Sequence, residues 1–175
     1  MVKKQSRGLV QVYTGDGKGK TTAALGLALR ATGQGMSVII IQFVKGDFTC
    51  GEHLFAAQGH PFEIVQLNTG DSFAQSWEEL RSTTEQSFAF AERAIRSGGY
   101  DIVILDEIFV AVSKELISIE QVLNLMSEKP ENMELILTGR GAPSEVIERA
   151  DLVTEMVAVK HPFTKGVEAR RGIEY

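Results

Sequence analysis

A glycine-rich stretch near the start of the chain has the residue types that bind phosphate. Residues 14–22 read Thr-Gly-Asp-Gly-Lys-Gly-Lys-Thr-Thr. Three glycines in five residues allow positive φ angles, so successive backbone N–H groups can face an anion. Lys20 adds a positive charge for the phosphates, and Thr21 adds a hydroxyl that can ligate magnesium. The stretch departs from the pattern G-x-x-x-x-G-K-[ST], because Thr14 stands where that pattern has its first glycine.

The segments on either side favour a phosphate-binding loop over a plain surface turn. Residues 9–13 form an apolar alternating run that predicts a strand, and the Ala/Leu-rich residues 20–32 predict a helix that is apolar nearly all round. The N-terminus of such a helix adds its dipole and unpaired N–H groups to an anion site. We therefore expect a nucleotide to bind here, with its phosphates in a register that the shortened loop alters.

A carboxylate pair, Asp106 and Glu107, follows the apolar residues 102–105. This order is typical of a Walker B strand, in which one carboxylate holds magnesium opposite the threonine of the phosphate loop. The second carboxylate orients an attacking water in many ATPases. The alternative is a pair of strand-end carboxylates that merely face solvent, and the nearby phosphate loop favours the magnesium site.

Basic residues offer further anion contacts. Arg140 lies in Thr-Gly-Arg-Gly after a predicted strand, where glycines allow close approach and a guanidinium can bind phosphate with two hydrogen bonds. A solvated arginine is the alternative. Residues 160–171 are locally basic on an acidic chain, and two interpretations stay open for them: a solvated surface, or a lid over an anionic ligand.

Two aromatic residues follow the third predicted strand. Phe73 and Trp77 either line a pocket or pack against the core. The three histidines, at positions 53, 60 and 161, are too scattered in sequence to indicate a metal site.

Strands and helices alternate along the whole chain. This order predicts an α/β fold with a mostly parallel central sheet of about six strands flanked by helices. The carboxyl ends of parallel strands share one edge, so the loop, Asp106-Glu107 and Arg140 are expected to converge there. The predicted strands are 9–13, 36–43, 62–67, 100–105, 134–137 and 152–159, and the predicted helices are 20–32, 51–59, 76–96, 118–130 and 143–150.

Composition indicates one globular domain over residues 1–175, with 1–7 as a short polar lead-in. Hydrophobic residues make up 43% and charged residues 23%. The net charge of −5 argues against nucleic acid as a partner. No stretch approaches the roughly 20 apolar residues of a membrane helix, and no signal peptide is recognised. The single cysteine, Cys50, fits a reducing compartment, so a cytoplasmic location is expected.

Six motifs in order resemble the ATP:corrinoid adenosyltransferases of the P-loop type. The resemblance runs from about residue 8 to residue 175, and both the shortened loop and Thr-Gly-Arg-Gly are characteristic of that family. It implies a RecA-like P-loop NTPase fold and a homodimer. The motifs lie at 12–24, 42–46 (Gln-Phe-Val-Lys-Gly), 103–107, 137–143, 159–163 and 172–175.

The resemblance also implies a reaction. ATP binds in reversed orientation, and its 5′-deoxyadenosyl group passes to a reduced Co(I) corrinoid, which leaves inorganic triphosphate. An electron-donating reductase, such as a flavoprotein, is the implied partner that supplies Co(I). Two alternatives from other classes are an ordinary ATPase or kinase, which would release ADP, and a nucleotide-dependent corrinoid carrier without turnover.

Site roles are carried over on matching positions. Lys20, Thr21, Glu107 and Arg140 are expected to act in catalysis, and Thr21, Asp106 and Glu107 to hold magnesium or manganese. The better-known members have a longer N-terminal extension than the seven residues here, and a Gly-Phe-x-Trp turn that displaces the lower ligand of the corrinoid. Phe73 and Trp77 are differently spaced but are expected to do that work. The triphosphate is expected to contact Gly15, Asp16, Gly17, Lys18, Gly19, Lys20, Thr21, Thr22 and Arg140.

Overall fold

Strands and helices alternate in the computed structural model, which describes residues 7–44, 50–59, 62–68 and 75–175. The strands are β1 (Val10–Thr14), β2 (Val38–Gln42), β3 (Phe62–Val65), β4 (Ile102–Asp106), β5 (Glu134–Thr138) and β6 (Leu152–Glu155). The helices are α1 (Lys20–Gly33), α2 (Gly51–Ala56), α3 (Trp77–Ser97), α4 (Ile108–Ser113), α5 (Ile119–Glu128) and α6 (Ser144–Arg149), and a 3-10 turn covers Pro162–Lys165.

The six strands form one sheet in the order β3-β2-β4-β5-β1-β6, and each neighbouring pair is parallel. The predicted α/β fold with a central parallel sheet is therefore confirmed. Every residue of β2, β4 and β5 is buried, as expected for strands covered on both faces. Since all strands run in the same direction, the carboxyl ends of β1, β2, β4 and β5 lie at the same edge of the sheet.

Helices cover the two faces of the sheet and form two apolar clusters. On one face, Ala24, Ala28 and Ala31 of α1 pack with Ile40 and Ile104. On the other face, side chains of α3, α4 and α5 pack against the opposite side of the same strands. Successive residues of a strand point to opposite faces, so the continuous apolar runs of the sequence supply both clusters.

The first helix packs against the sheet along one side only, although its sequence is apolar nearly all round. The alanine stripe of α1 faces the sheet, whereas Leu29 is 60% exposed. Leu25, Gly26 and Leu29 instead line an open cleft. The apolar residues of α1 therefore serve two surfaces, one in the core and one in the cleft.

Two further elements differ from the sequence prediction. Helix α4 was not predicted, because it follows Asp106-Glu107 directly and its N-cap, Glu107, makes no side-chain cap hydrogen bond. Strand β6 ends at Glu155 rather than at residue 159, since the next residue, Met156, accepts a hydrogen bond from Gly17 of the phosphate loop. All four residues of β6 are exposed at the edge of the sheet.

The predicted start of the longest helix, α3, is confirmed in detail. Ser76 accepts a hydrogen bond from Glu79 N while the Glu79 carboxylate bonds Ser76 N, which is a complete capping box. Gly98 ends the helix in the left-handed conformation, with φ of 63°. None of the helices in the described part of the chain is long and apolar enough to cross a membrane.

Candidate nucleotide-binding site

The loop between β1 and α1 wraps tightly against the chain that follows β6. Gly15 and Gly19 have φ angles of 93° and 123°, which confirms the expected positive φ at two of the three loop glycines. Gly17 is needed for another reason, because a Cβ there would lie 2.6 Å from Met156 O. Gly17 N also donates a hydrogen bond to that carbonyl over 2.6 Å. Sequence reasoning missed Met156, since nothing local links it to the loop.

The N-terminus of α1 is arranged for an anion. Gly19, the N-cap, provides no side-chain cap, and the first turn holds no acidic residue. The first helical hydrogen bond runs from Ala23 N to Gly19 O over 2.7 Å. The N–H groups before Ala23 therefore retain the partial positive charge of a helix start, where phosphate binds favourably.

The side chain of Lys20 folds into the loop. Its Nζ donates to Gly15 O over 2.7 Å and to Gly17 O over 2.8 Å. Only 6% of Lys20 is exposed. Burial lowers the pKa of its ammonium group, and the nearby Glu107 carboxylate opposes that change. The ammonium therefore lies at the centre of the loop, beside the helix start.

The threonine in place of the first pattern glycine connects the loop to a second turn. Thr14 is buried, and its Oγ1 accepts a hydrogen bond from Ala142 N over 3.1 Å. Glycine at position 14 could not make this contact. The turn also contains Gly139, whose φ is 142° and where an added Cβ would lie 2.8 Å from Phe109 Cβ. The turn places Arg140 in the lining of the cleft.

The carboxylate of Asp106 is completely buried at the end of β4. Its Oδ1 accepts from Thr21 Oγ1 over 2.9 Å and from Thr138 Oγ1 over 2.7 Å. Its Oδ2 accepts from Gln42 Nε2 over 3.1 Å. The sequence predicted that the loop and Asp106-Glu107 would lie at one edge of the sheet, with one of the two carboxylates opposite Thr21. It did not indicate the hydrogen bonds of Thr138 and Gln42.

Glu107 has an unusual backbone conformation. Its φ and ψ are 61° and 24°, in the left-handed region that a residue with a Cβ occupies at a cost. Its N–H donates to Thr138 Oγ1 over 2.9 Å, so the threonine that contacts Asp106 also holds the next residue. Glu107 is half-buried and lines the cleft. Strain of this kind is frequent at functional sites.

Residues 17–22, Glu107 and Arg140 line a cleft of about 740 Å³, a size suited to a cofactor or other small-molecule ligand. One wall is polar and consists of the loop, Glu107 and Arg140. The other is formed by apolar side chains of α1, α2 and β3. The apolar wall includes Leu25, Leu29, Phe55 and Phe62.

The carboxyl-terminal residues reach the phosphate loop. Lys18 Nζ donates to Glu174 Oε1 over 2.8 Å and to Ile173 O over 3.0 Å. Hydrogen bonds from Arg170 and then from Lys18 lower the pKa of Glu174 to about 2. Gly172 to Tyr175 line the cleft with His161, and they are exposed like the rest of 160–171. Ile173 and Glu174, beyond the basic stretch, thus contact the loop through Lys18.

The remaining predicted residues differ in whether they line the cleft. Gly17 to Thr22 line the cleft, whereas Gly15 and Asp16 lie outside its lining. Trp77 is 52% exposed at the start of α3, so it is not a core residue, and it does not contribute to the lining. Phe73 lies outside the described residues. His53 contacts Gln42 Oε1 through Nε2 over 2.6 Å.

Comparison with known proteins gives a consistent result along the chain. Residues 6–175 match the family model described as ATP:corrinoid adenosyltransferase BtuR/CobO/CobP. The corrinoid adenosyltransferase of Escherichia coli K12 is 38% identical over 97% of this chain and 86% of its own length. The corrinoid adenosyltransferase CobA of Salmonella typhimurium LT2 is 36% identical, over 98% and 87%. That of Pseudomonas aeruginosa is 33% identical, over 98% and 86%.

Proposed function

Because the chain belongs to the ATP:corrinoid adenosyltransferase BtuR/CobO/CobP family, we propose that its cleft transfers the 5′-deoxyadenosyl group of ATP to the Co(I) centre of a corrinoid. The observation that carries the proposal is the contact of Thr21 with Asp106 beside the glycine loop, in a chain that matches the family over residues 6–175. Co(I) supplies the electron pair of the new Co–C bond and becomes Co(III). The C5′–O bond breaks, and its electron pair leaves with triphosphate.

The protein needs no nucleophile or general base for this reaction, since the reduced corrinoid is the nucleophile. Its residues hold the 5′ carbon in line with cobalt and stabilise the charge that develops on the departing triphosphate. We assign the triphosphate to the amides of the glycine loop and the start of α1, with Lys20 and Arg140 as cationic partners. The positions of these groups on one wall of the cleft support the assignment.

Two residues of this wall, together with the buried Asp106 beside them, also fit a divalent cation. The hydroxyl of Thr21 and the carboxylates of Asp106 and Glu107 are hard oxygen ligands of the kind that magnesium and manganese prefer. We propose that these three residues hold the cation, directly or through water. Such a cation supplies charge neutralisation for the triphosphate. The short distance from Thr21 Oγ1 to Asp106 Oδ1 supports the choice of ligands.

The corrinoid requires an apolar surface near the 5′ carbon. We propose that Phe73 and Trp77 contact it and displace its lower ligand. The exposure of Trp77 supports this role, because an aromatic ring that is not packed in the core is available to a substrate. Dry surroundings at this surface would also protect Co(I) from oxidation and protonation.

Two protein partners belong to the same proposal. An electron donor, such as a flavoprotein reductase, generates Co(I) in the cytoplasm. A second copy of this chain forms a homodimer. The exposed strand β6 and the apolar side chains that follow it support a protein contact: Val157, Val159 and Phe163 are 68%, 87% and 78% exposed.

The test is an anaerobic reaction of the protein with ATP, magnesium and chemically reduced corrinoid. We expect a light-sensitive adenosylcorrinoid in the visible spectrum, with an equal amount of triphosphate. A Lys20→Ala variant is the negative control, because it removes the cation of the loop. Release of ADP and phosphate without a spectral change would instead identify an ATPase or kinase. Tight retention of the corrinoid without a Co–C bond would identify a carrier.

A further inference from the structure

A buried amide lies directly beside the proposed cation site. Gln42 ends β2, is paired in register with Asp106 at the end of β4, and has no exposed surface. A polar side chain in the middle of a parallel sheet is costly unless its hydrogen bonds are made. Gln42 makes them on both sides: Nε2 bonds Asp106 Oδ2 over 3.1 Å, and Oε1 lies 2.6 Å from His53 Nε2.

The chemistry of Asp106 sets the direction of these bonds. An ionised carboxylate only accepts hydrogen bonds, so the amide of Gln42 must turn its NH₂ group toward Asp106. Its carbonyl oxygen then faces His53 and accepts, which requires a hydrogen on His53 Nε2. The protonated imidazole has this hydrogen, as does one of the two neutral tautomers. The bond therefore depends on the tautomer of His53 and not on its charge.

We propose that Gln42 and His53 are positioning residues for the divalent-cation site, an inference that rests on the proposed function. Thr21 and Thr138 bond Oδ1 of Asp106, and Gln42 bonds Oδ2. The carboxylate is thus held from two sides, and its Oδ1 is kept toward Thr21. This matters because the terminal torsion of an aspartate is soft and has no sharp preferred angle.

The same bonds connect the cation site to the apolar wall of the cleft. His53 lies on α2, and its neighbours Glu52 and Phe55 line the cleft. A bond from α2 through Gln42 to Asp106 therefore fixes the wall and the cation ligands relative to each other. It also gives a physical role to the first residue of the motif at 42–46. Glutamate at position 42 would repel Asp106, and methionine could not donate.

Binding measurements test the positioning role in the full chain. The affinity for ATP is measured with Mn²⁺ and with EDTA, and the ratio reports the cation site separately from the loop. We expect Gln42→Met and His53→Leu each to reduce the Mn²⁺-dependent gain by about 10-fold, the loss typical of a group that orients a metal ligand. ATP affinity in EDTA should be unchanged. The exposed Gln58, just beyond α2, provides the matched control Gln58→Met.

A conservative variant separates positioning from general damage. Glutamine at position 53 places an amide N–H near the location of the histidine Nε2, so His53→Gln should restore the Mn²⁺-dependent gain that His53→Leu loses. A folded Gln42→Met or His53→Leu protein with an unchanged gain would overturn the positioning role and leave the cation site intact. Absence of any Mn²⁺-dependent gain in the unsubstituted protein would refute the cation site itself, and the positioning role with it.

Nuclear magnetic resonance gives a readout that needs neither metal nor nucleotide. The ¹⁵N shifts of the imidazole distinguish the tautomers, and we expect neutral His53 in the Nε2–H form. Gln42→Met should remove the preference for this tautomer. A neutral ring with its hydrogen on Nδ1 in the unsubstituted protein would overturn the proposal even if the variants bind Mn²⁺ poorly.

Discussion

Thr21 Oγ1 lies 2.9 Å from Asp106 Oδ1, although the two residues are 85 positions apart in the chain. The parallel sheet creates this contact, because the loop after β1 and the end of β4 lie at the same edge. Strand β5 lies between β1 and β4 and contributes Thr138, which bonds the same oxygen of Asp106. The proposed cation site therefore lies at the ends of three neighbouring strands, β1, β4 and β5.

Removal of the Thr21 hydroxyl should impair the cation site. We expect Thr21→Val to lower the Mn²⁺-dependent ATP affinity by at least about 10-fold, since a ligand and a partner of Asp106 are lost together. Calorimetric titration with and without Mn²⁺ measures the effect. Thr32→Val is the control on the same helix, because its hydroxyl bonds only the carbonyls of Ala28 and Leu29 among the contacts described. Equal losses in both variants would contradict a specific role for Thr21.

The left-handed backbone of Glu107 should lower the free energy of unfolding, at a position where the carboxylate is needed for function. Both Glu107→Ala and Glu107→Gly remove the carboxylate, but only glycine relieves the left-handed backbone. We expect the glycine variant to be more stable than the alanine variant by about 1 kcal/mol, and both to lose turnover. Urea unfolding gives the free energies, and the anaerobic assay gives the rates. Equal stability of the two variants would show that position 107 stores no backbone strain.

The loop should not tolerate a side chain at Gly17. A Cβ there would lie 2.6 Å from the Met156 carbonyl oxygen, so the loop or the chain after β6 would have to move. We expect Gly17→Ala to reduce turnover by about 100-fold, as a displaced phosphate loop would. Gly33→Ala is the control, because no atom of the described residues lies within 4 Å of its added Cβ. Steady-state rates for both variants decide whether Met156 restricts the loop.

Glu174 should titrate far below an ordinary glutamate. Its pKa falls from 4.5 to about 2, chiefly through hydrogen bonds from Arg170 and then from Lys18. A lowered pKa means that the contact is complete above pH 4.5 and is lost as the pH falls toward about 2. The ¹³C shift of the carboxyl group, followed by NMR, measures the midpoint.

Two variants check the cause of that midpoint. Arg170→Ala should raise it more than Lys18→Ala, because Arg170 makes the larger contribution to the lowered pKa of Glu174. A midpoint near 4.5 in the unsubstituted protein would contradict the contact between the carboxyl-terminal residues and the phosphate loop.

Local patterns in the sequence were sufficient for the six strands, for the α-helices of the described residues other than α4, and for most of the polar wall. The glycine loop lies between a strand and a helix, and Asp106-Glu107 follows a buried apolar run, so each could be recognised from its neighbours in the chain. The alternation of strands and helices then predicted that these segments share an edge. The structure confirms the parallel sheet, and at its edge Thr21 lies next to Asp106 and Arg140 lines the cleft. The phosphate and cation roles of these residues stay predictions.

Only the tertiary structure decided the contacts between segments that have no local signal. Met156 packs against Gly17 of the loop, Thr14 accepts a hydrogen bond from Ala142, and Glu174 accepts one from Lys18. Each is a single contact between distant positions, and sequence periodicity reports which face of an element is buried but not its partner. For the same reason, the apolar residues of α1 predicted a buried helix but did not show which of them face the sheet and which line an open cleft. That division depends on which of its sides the other elements leave uncovered.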